Sequence, residues 1–336
     1  MSVNSQRPVL IIGGSGLVGA QTAKALRRLH PTLPLTIGGR DLARADAVAK
    51  EVGGADAVRV DLERRDLGQP EGRAYSAVVV FTKDDTLNSM KYAQAKGLPY
   101  VSISSGVFEM GPEVAHYIHQ PASAPIFMDS TWLAGAAMLP ALHFAREFKT
   151  LEAIEFTVVL DEQDVGGPAA HADFDRLTNV ATSSLLLQDG RWRWVRGADA
   201  TRTVTAVDGT PMQGQVYSPF DVLALAAATE ARSIRFDMVV GESATRRRGE
   251  PYSTEIIIEL SGLKQDGMRG RVRHELVHPE GQAPVTALGV AIAVERLLGL
   301  AGGPPVAPGL YLPHVLIDPA YFVRRLEEFG TQIRRA

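Results

Sequence analysis

The apolar residues of the first 130 positions form short runs that alternate with segments of helical spacing. Runs rich in Val, Ile and Leu predict buried strands. They fall at Val9–Ile12, Leu33–Ile37, Ala57–Val60, Ala77–Phe81, Tyr100–Ile103 and Ile126–Met128. Helices are predicted between most of them, from residue 17 to residue 29 and then at Asp41–Val52, Thr86–Lys96 and Pro112–His119. Six strands that alternate with helices predict a parallel sheet covered on both faces.

The pattern changes after Asp129, where polar and apolar residues alternate along longer segments. This alternation is typical of an antiparallel sheet with one covered face. The predicted strands are Ala153–Leu160, Trp192–Val195, Ile234–Val240, Ser253–Leu260 and Gly270–His278. Helices are predicted at Thr131–Phe148, Ala172–Leu187, Phe220–Ala231 and Val285–Leu298, and from Pro319 to about Gln332. We therefore predict an α/β protein with a doubly wound parallel sheet (residues 1–130), an inserted α+β substrate and dimerisation domain (131–283) and a C-terminal segment (284–336) that returns to the first domain.

The first strand runs directly into a glycine-rich turn that opens the first helix. The motif G-G-x-G-x-x-G begins at Gly13 and ends at Gly19, inside a strand–turn–helix–strand unit. In such a unit one glycine permits the sharp turn, one lets a pyrophosphate approach the backbone, and one lets helix and strand pack closely. The helix N-terminus favours the anion through its free N–H groups and its dipole. We therefore predict a Rossmann-type dinucleotide site whose first contacts are Gly13, Gly14, Ser15, Gly16, Leu17 and Val18.

The end of the second strand indicates which nicotinamide cofactor the site takes. An NAD site places Asp or Glu there to hold the ribose hydroxyls, whereas this chain has Gly39 followed by Arg40. A charge-assisted Arg–phosphate contact is worth roughly 1.5–3 kcal/mol, and about 1.4 kcal/mol is tenfold in affinity. We therefore predict NADP(H), with Gly39 and Arg40 beside its 2′-phosphate. The alternative is a solvent-exposed arginine that precedes Asp41, the N-cap of the next helix.

The composition limits the other classes of function. The chain has 336 residues, of which 45% are hydrophobic and 22% charged, and its formal net charge is −3. This balance does not favour a nucleic acid or an anionic membrane as partner, and the longest apolar stretches are too short or interrupted to span a bilayer. Without cysteine there is no disulfide and no thiolate chemistry. We expect a cytoplasmic protein in which residues 1–7 are a flexible polar tail.

Five features of the chain occur together: the opening VLIIGGSGLVGAQTAKAL, the Gly-Gly-Arg after the second strand, VDLE at 60–63, the α+β middle and the closing GLYLPH. In this combination the chain resembles the saccharopine reductase-like family of NADP-dependent oxidoreductases. The resemblance covers the whole chain in order and is most specific in the first 60 residues; family members commonly have Pro-Glu where this chain has Pro313-His314. It implies hydride transfer from NADPH to a carbon–nitrogen double bond, in an imine formed from an amine and a carbonyl compound.

Residues at the carboxyl ends of the parallel strands are candidate contacts of cofactor and substrate, because ligands lie beyond those ends. Asp61-Leu62 follows the third strand, near the expected adenine, and Phe81-Thr82 follows the fourth. Ser104 follows the fifth strand and Asp129 the sixth. The alternative for these Ser, Thr and Asp residues is turn and capping chemistry, and Asp61 is equally expected to cap the turn that follows it.

The candidates for proton transfer come from the inserted domain. Gly166-Gly167-Pro168 precedes a predicted helix in which His171 and Asp175 lie one turn apart, so that a carboxylate would orient an imidazole. Family members often have a glycine-rich loop and a helix here, facing the nicotinamide. The alternative is an ordinary surface His–Asp pair. Tyr217 and Asp221, on either side of Pro219, are weaker catalytic candidates.

Three other patterns give weaker indications of function. Tyr92-Ala-Gln-Ala-Lys96 matches the Tyr-x-x-x-Lys pair of short-chain dehydrogenases, but it lies one strand too early, so we interpret Tyr92 as packing on the sheet. The pairs His116/His119 and His274/His278 have no obvious third ligand, so we interpret them as surface residues and predict no metal site. Trp192 and Trp194 alternate with arginines, which predicts a half-exposed strand whose aromatic side chains pack inward. Such a strand could also form a subunit interface, and a homodimer is expected.

Three functions remain open on the sequence. The first is reduction of an imine or iminium by NADPH, in which the positive charge of an iminium makes a strong general acid unnecessary. The second, in the same class, is reduction of a carbonyl compound or an activated alkene. The third is a regulator that binds NADP without turning over a substrate.

Overall fold

A computed structural model describes residues 7–180 and 182–336 of the chain. Residues 1–6 and Ala181 lie outside the described residues, so the N-terminal tail stays a prediction. Sixteen strands lie within the described ranges: β1 (Val9–Ile12), β2 (Leu35–Gly39), β3 (Ala55–Arg59), β4 (Ala77–Val80), β5 (Tyr100–Ser102), β6 (Pro125–Met128), β7 (Phe148–Asp161), β8 (Ser184–Gln188), β9 (Arg191–Val195), β10 (Thr201–Thr205), β11 (Pro211–Val216), β12 (Ser233–Gly241), β13 (Thr254–Lys264), β14 (Arg269–His278), β15 (Gly309–Tyr311) and β16 (Gln332–Arg335).

Eleven α-helices lie in the same ranges. They are α1 (Leu17–Leu29), α2 (Leu42–Val52), α3 (Asn88–Lys96), α4 (Met110–His119), α5 (Met138–Phe144), α6 (Pro168–Val180), α7 (Phe220–Ala228), α8 (Ala244–Arg247), α9 (Gln282–Leu298), α10 (Pro313–Leu316) and α11 (Pro319–Glu328). None of the helices among the described residues has the length and apolar character needed to cross a membrane.

The first sheet is parallel and has the strand order β3-β2-β1-β4-β5-β6-β15. All six predicted strands are present, which confirms the predicted α/β class, and β15 adds an unpredicted seventh strand at one edge. Every residue of β1 and β4 is buried, as expected for central strands covered on both faces. The order in which the chain adds strands to the sheet reverses between β1 and β4, and in this type of sheet ligands bind in the crevice at the carboxyl ends of the strands where the order reverses.

The second sheet is mixed rather than purely antiparallel. Its main path is β10-β11-β12-β7-β13-β14-β16, and the hairpin β8–β9 attaches to β12. The pair β7–β12 is parallel, whereas the other pairs are antiparallel. A parallel pair needs a long crossover, and the chain between β7 and β12 supplies one with α6, α7 and four intervening strands. Strands β8, β10, β11 and β16 were not predicted from the sequence.

The predicted helix Thr131–Phe148 is wrong over most of its length. Helix α5 covers only Met138–Phe144, and β7 already begins at Phe148. Residues 133–135 break the helix because Leu133, Ala134 and Gly135 have φ values of 47°, 53° and 95°. These left-handed conformations are incompatible with a right-handed helix.

Two further helix predictions also need correction. The predicted helix Ala172–Leu187 spans α6, which ends at Val180, and β8, which begins at Ser184. The three leucines at 185–187 continue a helical pattern in the sequence, but they lie in a buried strand. The last helix ends at Glu328 instead of about Gln332, because residues 332–335 pair with β14 as β16.

The chain divides into two compact units. The first comprises residues up to Ser130 together with Gly166–Asp173 and Thr286–Ile317, and the second comprises Thr131–Val165, Phe174–Val285 and Asp318–Ala336. These boundaries differ from the predicted ones in two places. The start of α6 belongs to the first unit, and residues 318–336 belong to the second, because β16 joins the second sheet.

Candidate functional site

The turn between β1 and α1 is closed by backbone hydrogen bonds and has no room for a side chain at Gly14 or Gly19. The Gly13 N–H donates to the Gly38 carbonyl at 2.9 Å and the Gly16 N–H to the Gly13 carbonyl at 2.9 Å. Gly13 has a φ of +80°. A Cβ atom on Gly14 would lie 2.7 Å from the Ile11 oxygen, and one on Gly19 would lie 2.5 Å from the Gly13 oxygen. Glycine is therefore required at these positions by sterics, as a phosphate-binding turn requires.

Helix α1 begins at this turn without a side-chain cap. Gly16 is its N-cap residue and supplies no side chain, and the first turn of the helix contains no acidic residue. Gly16 is exposed, and so is 43% of the Leu17 side chain. The N–H groups at the start of a helix have no intrahelical acceptor, so an accessible, uncapped N-terminus offers donors and positive potential to an anion. Both the turn and the helix N-terminus therefore fit a dinucleotide pyrophosphate.

The carboxyl end of β2 lies against the glycine-rich turn Gly13–Gly19. A Cβ atom on Gly39 would lie 3.3 Å from the Ser15 hydroxyl, and one on Gly38 would lie 2.9 Å from Val60. Arg40 follows directly, is exposed, and makes no ion pair or hydrogen bond within residues 7–180 and 182–336. Asp41 is the N-cap of α2 and accepts the Arg44 N–H at 3.1 Å. The structure thus brings Ser15, Gly39 and Arg40 together, with the guanidinium available to a ligand.

Asp61 has the capping role that the sequence left open. Its carboxylate accepts the Glu63 N–H at 3.0 Å, in the turn after β3. The carbonyl of Leu62 accepts the Thr86 hydroxyl at 2.9 Å and the Asn88 amide at 2.8 Å. Asp61 and Leu62 therefore stabilise the loops after β3 and β4.

Phe81 and Thr82 lie next to Gly13, in the glycine-rich turn Gly13–Gly19. A Cβ atom on Gly13 would lie 3.2 Å from the Phe81 Cβ and 3.1 Å from the Thr82 Cγ2. The Phe81 N–H also donates to the Ile12 carbonyl at 3.0 Å. The end of β4 therefore forms one wall of the turn, as predicted from its place in the sheet.

The loops after β5 and β6 hold a network of serines and carboxylates. The Ser104 hydroxyl donates to Asp173 at 2.7 Å, and the Ser105 N–H donates to the Ser130 hydroxyl at 3.0 Å. The Asp129 N–H donates to the Ser102 carbonyl at 2.9 Å. Ser104 and Asp129, both predicted site residues, are 6% and 1% exposed, so they lie beneath the surface of this edge.

Sequence analysis missed two acidic residues at this edge, Asp173 and Glu113. Asp175 and not Asp173 was predicted as a site residue, because the helical i, i+4 rule favours the residue one turn after His171 as its partner. Glu113, on α4, is 5% exposed and accepts the Ser105 hydroxyl at 2.7 Å. Burial raises the pKa of Glu113. No local signal distinguishes Glu113 from a surface glutamate, because its burial depends on how α4 packs.

His171 lies on the first turn of α6, in the segment that belongs to the first unit. It is exposed, and its Nδ1 lies 3.3 Å from the Gly167 carbonyl. Because a carbonyl only accepts, Nδ1 carries the proton. The imidazole is thus oriented by the backbone of its own helix instead of by the predicted carboxylate. Asp175 is exposed and belongs to the second unit.

The segment that carries His171 also approaches the start of α1. A Cβ atom on Gly167 would lie 3.7 Å from the Leu17 Cβ and 3.9 Å from the Leu17 nitrogen. Asp173, in the same segment, accepts the Ser104 hydroxyl at 2.7 Å. Residues 166–173 therefore contact the carboxyl edge of the first sheet at both ends, through Leu17 and Ser104.

Tyr217 and Asp221 belong to the second unit. The Tyr217 ring packs edge-on against Trp132, with 5.9 Å between centroids. Asp221 is fully buried and accepts the N–H groups of Trp132 at 2.6 Å and Met138 at 3.1 Å. Burial raises the pKa of Asp221 to about 7. Asp221 therefore holds the turn before α5 and the first residue of that helix.

The interpretation of His274 and His278 as surface residues is wrong. They are 5% and 4% exposed. His274 Nε2 lies 2.7 Å from a Glu147 carboxylate oxygen, and His278 Nδ1 lies 3.0 Å from the Thr331 hydroxyl. No group of three or more His, Cys, Asp and Glu residues suited to a metal ion occurs in the described part of the chain.

Comparison with known proteins supports the fold. No protein-family model matches this chain, and no curated protein matches its sequence. Among solved structures it is similar to apo saccharopine dehydrogenase (L-Glu forming) from Saccharomyces cerevisiae, with a TM-score of 0.70 and 13% identity over 98% of this chain and 100% of that one. It is also similar to dipicolinate-bound dihydrodipicolinate reductase from Paenisporosarcina sp. TG-14, with a TM-score of 0.46 and 12% identity over 91% and 97% of the two chains. An oxidoreductase from Sinorhizobium meliloti gives 0.48 and 12% over 98% and 99%.

The likeness to the yeast saccharopine dehydrogenase shows a shared fold. It confirms the structural resemblance expected from the sequence, over nearly the whole length of both chains. At 13% identity it carries no residue role from that protein to this one.

Proposed function

We propose that this protein is an NADP-dependent oxidoreductase that transfers a hydride from NADPH to the carbon of an imine or iminium. The observation that carries the proposal is the arrangement at the end of β2. Ser15 and Arg40 flank Gly39, the position where an NAD site has a carboxylate. The fold shared with a structure named saccharopine dehydrogenase (L-Glu forming) agrees with an oxidoreductase. The imine substrate follows from the family resemblance of the sequence.

Cofactor preference follows from charge and space. A carboxylate at position 39 would repel a 2′-phosphate, whereas Arg40 attracts it and the Ser15 hydroxyl adds a hydrogen-bond donor. Arg40 is exposed and has no partner within the described ranges, so binding a phosphate breaks no existing ion pair. We therefore expect NADPH to bind at least tenfold more tightly than NADH.

The chain's own residues have three tasks in the proposed reaction. The turn Gly13–Gly19 and the start of α1 hold the pyrophosphate, with Phe81 and Thr82 as a wall. When bound, NADPH supplies the hydride. Ser104 and Asp129 are proposed to position the nicotinamide end, and His171 to exchange a proton with the substrate nitrogen through its Nε2. Because Nδ1 donates to Gly167, Nε2 is the free ring nitrogen.

Titration calorimetry with NADPH and NADH tests the cofactor site first. Wild type is expected to prefer NADPH at least tenfold, and Arg40→Ala to lose that preference through weaker NADPH binding alone. Arg44→Ala, which removes another exposed arginine one turn further along, is the matched control and should bind like wild type. Equal affinity of wild type for the two cofactors would contradict the assignment of Arg40, and absence of binding would contradict the whole proposal.

Turnover distinguishes the substrate classes. NADPH oxidation is expected with mixtures of a primary amine and an aldehyde or keto acid, and to depend on both components. Oxidation with the carbonyl compound alone would favour a carbonyl reductase. Binding without oxidation by any amine–carbonyl pair, ketone or enone would favour a regulator.

We also propose a homodimer through the edge of the second sheet. Within the described residues, β9 pairs with β8 alone. Its Trp192 and Trp194 are 48% and 57% exposed, so the prediction that they pack inward is wrong. Large exposed aromatic side chains on an open edge strand are typical of an interface. Sedimentation of wild type at micromolar concentration should give a dimer and that of Trp192→Lys/Trp194→Lys a monomer, whereas a monomeric wild type would contradict this proposal.

A further inference from the structure

A large groove opens at the amino ends of the strands of the first sheet, opposite the dinucleotide edge. Its volume is about 970 Å³, within the range of small-molecule sites. It is lined by Arg7 just before β1, Tyr75 just before β4 and Leu98 just before β5. The Ser76 N–H donates to the Pro8 carbonyl at 2.9 Å, which fixes the start of the chain beside β4. A four-residue strand such as β4 separates the two edges by about 13 Å, so the groove is distinct from the proposed cofactor site.

The groove is lined by residues that have no role in the proposed dinucleotide site. Tyr92 and Lys96, the Tyr-x-x-x-Lys pair that lies on the wrong helix for a short-chain dehydrogenase, both line it. So does His116, from the histidine pair without a third ligand. The C-terminal halves of α3 and α4 bring these three side chains to one place.

The lining is strongly basic in a chain whose net charge is −3. Its charged side chains are five cations, Arg7, Arg65, Arg73, Lys91 and Lys96, and two anions, Asp66 and Glu71. Asp66 is already paired with Arg64 through two hydrogen bonds of 2.9 and 2.7 Å. The groove therefore has a local positive potential that attracts anions.

Three of the five cations form neither an ion pair nor a side-chain hydrogen bond in the described part of the chain. Arg73 pairs with Asp56, and the Lys91 ammonium donates to the Thr86 carbonyl at 2.7 Å. Arg7, Arg65 and Lys96 are exposed and form no ion pair within residues 7–180 and 182–336. Two free guanidinium groups and an ammonium around one groove match a multiply charged anion, because guanidinium binds phosphate oxygens in pairs.

Neutral groups complete the lining. Tyr92 is 6% exposed, and burial together with the charge of Asp66 raises the pKa of its hydroxyl, which stays a donor at neutral pH. The His116 Nε2 is buried and has no hydrogen-bond partner among the described residues. Apolar side chains of Ala74, Ala95 and Leu98 also line the groove. An anionic group with a compact apolar body fits this combination of charged and apolar surface.

We propose that this groove is a second ligand site that binds a phosphate ester of a small organic molecule, with Arg65 and Lys96 as its main phosphate contacts. The site goes beyond the proposed oxidoreductase activity and does not depend on it. A phosphate ligand there lies against the last turns of α3 and α4, so it would be a second ligand of the Rossmann domain and not a substrate of hydride transfer.

Calorimetric titration of the full chain with inorganic pyrophosphate tests the site. Pyrophosphate also suits the N-terminus of α1, so wild type is expected to bind two equivalents. Arg65→Gln/Lys96→Gln should lose one of them, with at least tenfold weaker binding at the groove, while NADPH affinity is unchanged. Gly16→Asp, which places a carboxylate at the start of α1, should lose the other and keep the groove site.

The control is Arg191→Gln/Arg196→Gln, which removes two exposed cations from the second unit and should still bind two equivalents. All four substituted side chains are exposed, so both double variants are expected to fold, and an unchanged melting temperature checks this. A single equivalent in wild type that disappears in Gly16→Asp would overturn the proposal, as would no binding at millimolar pyrophosphate. Equal losses in the groove variant and the control would also overturn it, by showing general charge attraction.

Discussion

Helices α1 and α5 begin in opposite ways. Helix α1 follows β1, at the beginning of the α/β pattern, and α5 follows β6, at its end. The N-terminus of α1 has a glycine as N-cap residue and is exposed. The N-terminus of α5 is buried, and the Asp221 carboxylate accepts the N–H of its first residue, Met138, at 3.1 Å. One helix start is open to an external anion, and the other is closed by a carboxyl group that the chain itself supplies.

Helix α2 is the intermediate case. Its N-cap Asp41 accepts the Arg44 N–H at 3.1 Å, like Asp221 in α5, but it is exposed, like the start of α1. The three helices show that an uncapped N-terminus is not an inevitable feature of this fold. Helices α2 and α11 have a capping aspartate, whereas α1, α4 and α7 have no side-chain cap. Of these three, α1 begins at the glycine-rich turn, where a pyrophosphate would supply the negative charge.

The first prediction concerns a variant in which the N-terminus of α1 is capped by a carboxyl group, as that of α5 is. Gly16→Asp is expected to weaken NADPH binding at least a hundredfold, or about 2.7 kcal/mol, because the new carboxylate satisfies the free N–H groups and repels the phosphates. The backbone at Gly16, with φ −82° and ψ 170°, accepts an aspartate, but its Cβ would lie 3.2 Å from the Gly13 oxygen, so a loss of stability of about 1 kcal/mol is expected. Calorimetry and urea unfolding measure the two effects.

The same substitution at Gly111 provides the control. A Cβ atom there meets no heavy atom within 4 Å, and the residue lies in α4, away from the turn. Gly111→Asp should bind NADPH like wild type. If Gly16→Asp also binds like wild type, the start of α1 is not the pyrophosphate site.

The second prediction concerns the closed helix α5. The pKa of Asp221 is raised to about 7 in the folded protein, whereas an unfolded aspartate titrates near 3.8. Between these values the folded state keeps a proton that the unfolded state has lost, so stability falls as the pH rises through this window. From pH 5 to pH 7.5 the contribution of Asp221 should fall by about 2.5 kcal/mol.

Urea unfolding of wild type and Asp221→Asn across this pH range measures that contribution. The asparagine does not titrate, so the stability difference between the two proteins should shift in favour of the variant as the pH rises. Other carboxyls with raised pKa values, such as Asp164, titrate in both proteins and cancel in the difference. Parallel stability curves would show that Asp221 is ionised throughout.

The third prediction tests whether the open turn is fixed by sterics. Gly19→Ala should destabilise the protein by about 2 kcal/mol, because its Cβ would lie 2.5 Å from the Gly13 oxygen and 2.8 Å from the Gly14 Cα. Both neighbours are backbone atoms and have little freedom to move. Gly111→Ala, which adds the same methyl group in open space, should leave the free energy of unfolding unchanged or raise it slightly. Equal effects of the two substitutions would show that the turn adjusts to a side chain.

The parts of the site that sequence analysis predicted are those built from consecutive residues. The turn Gly13–Gly19 and the pair Gly39-Arg40 each have their function encoded in one short segment, and a parallel sheet brings them to the same edge. The six strands of the first sheet were predictable for a related reason, because strands covered on both faces are continuous apolar runs.

The parts that were missed depend on partners far away in the chain. Glu113 is buried by the packing of α4, and Asp221 contacts Trp132, which is 89 residues away. Strands β8 and β16 carry leucines and arginines whose spacing also suits a helix, and their sheet partners decide the outcome. His171 has a similar explanation, because a backbone carbonyl, which no pattern of side chains reveals, replaced the predicted carboxylate as its partner.

The smallest predicted effect concerns α2, the exposed and capped helix. Asp41→Ala should cost about 0.5–1 kcal/mol of stability, because one hydrogen bond to the Arg44 N–H is lost at a solvent-exposed cap. The ratio of NADPH to NADH affinity should stay that of wild type, since Arg40, the proposed phosphate contact, remains in place. Urea unfolding and calorimetry of this variant, with Asp46→Ala on the same helix as control, separate the two quantities. A tenfold loss of NADPH affinity without a matching change for NADH would show that the cap also positions Arg40, and that α2 is part of the cofactor site.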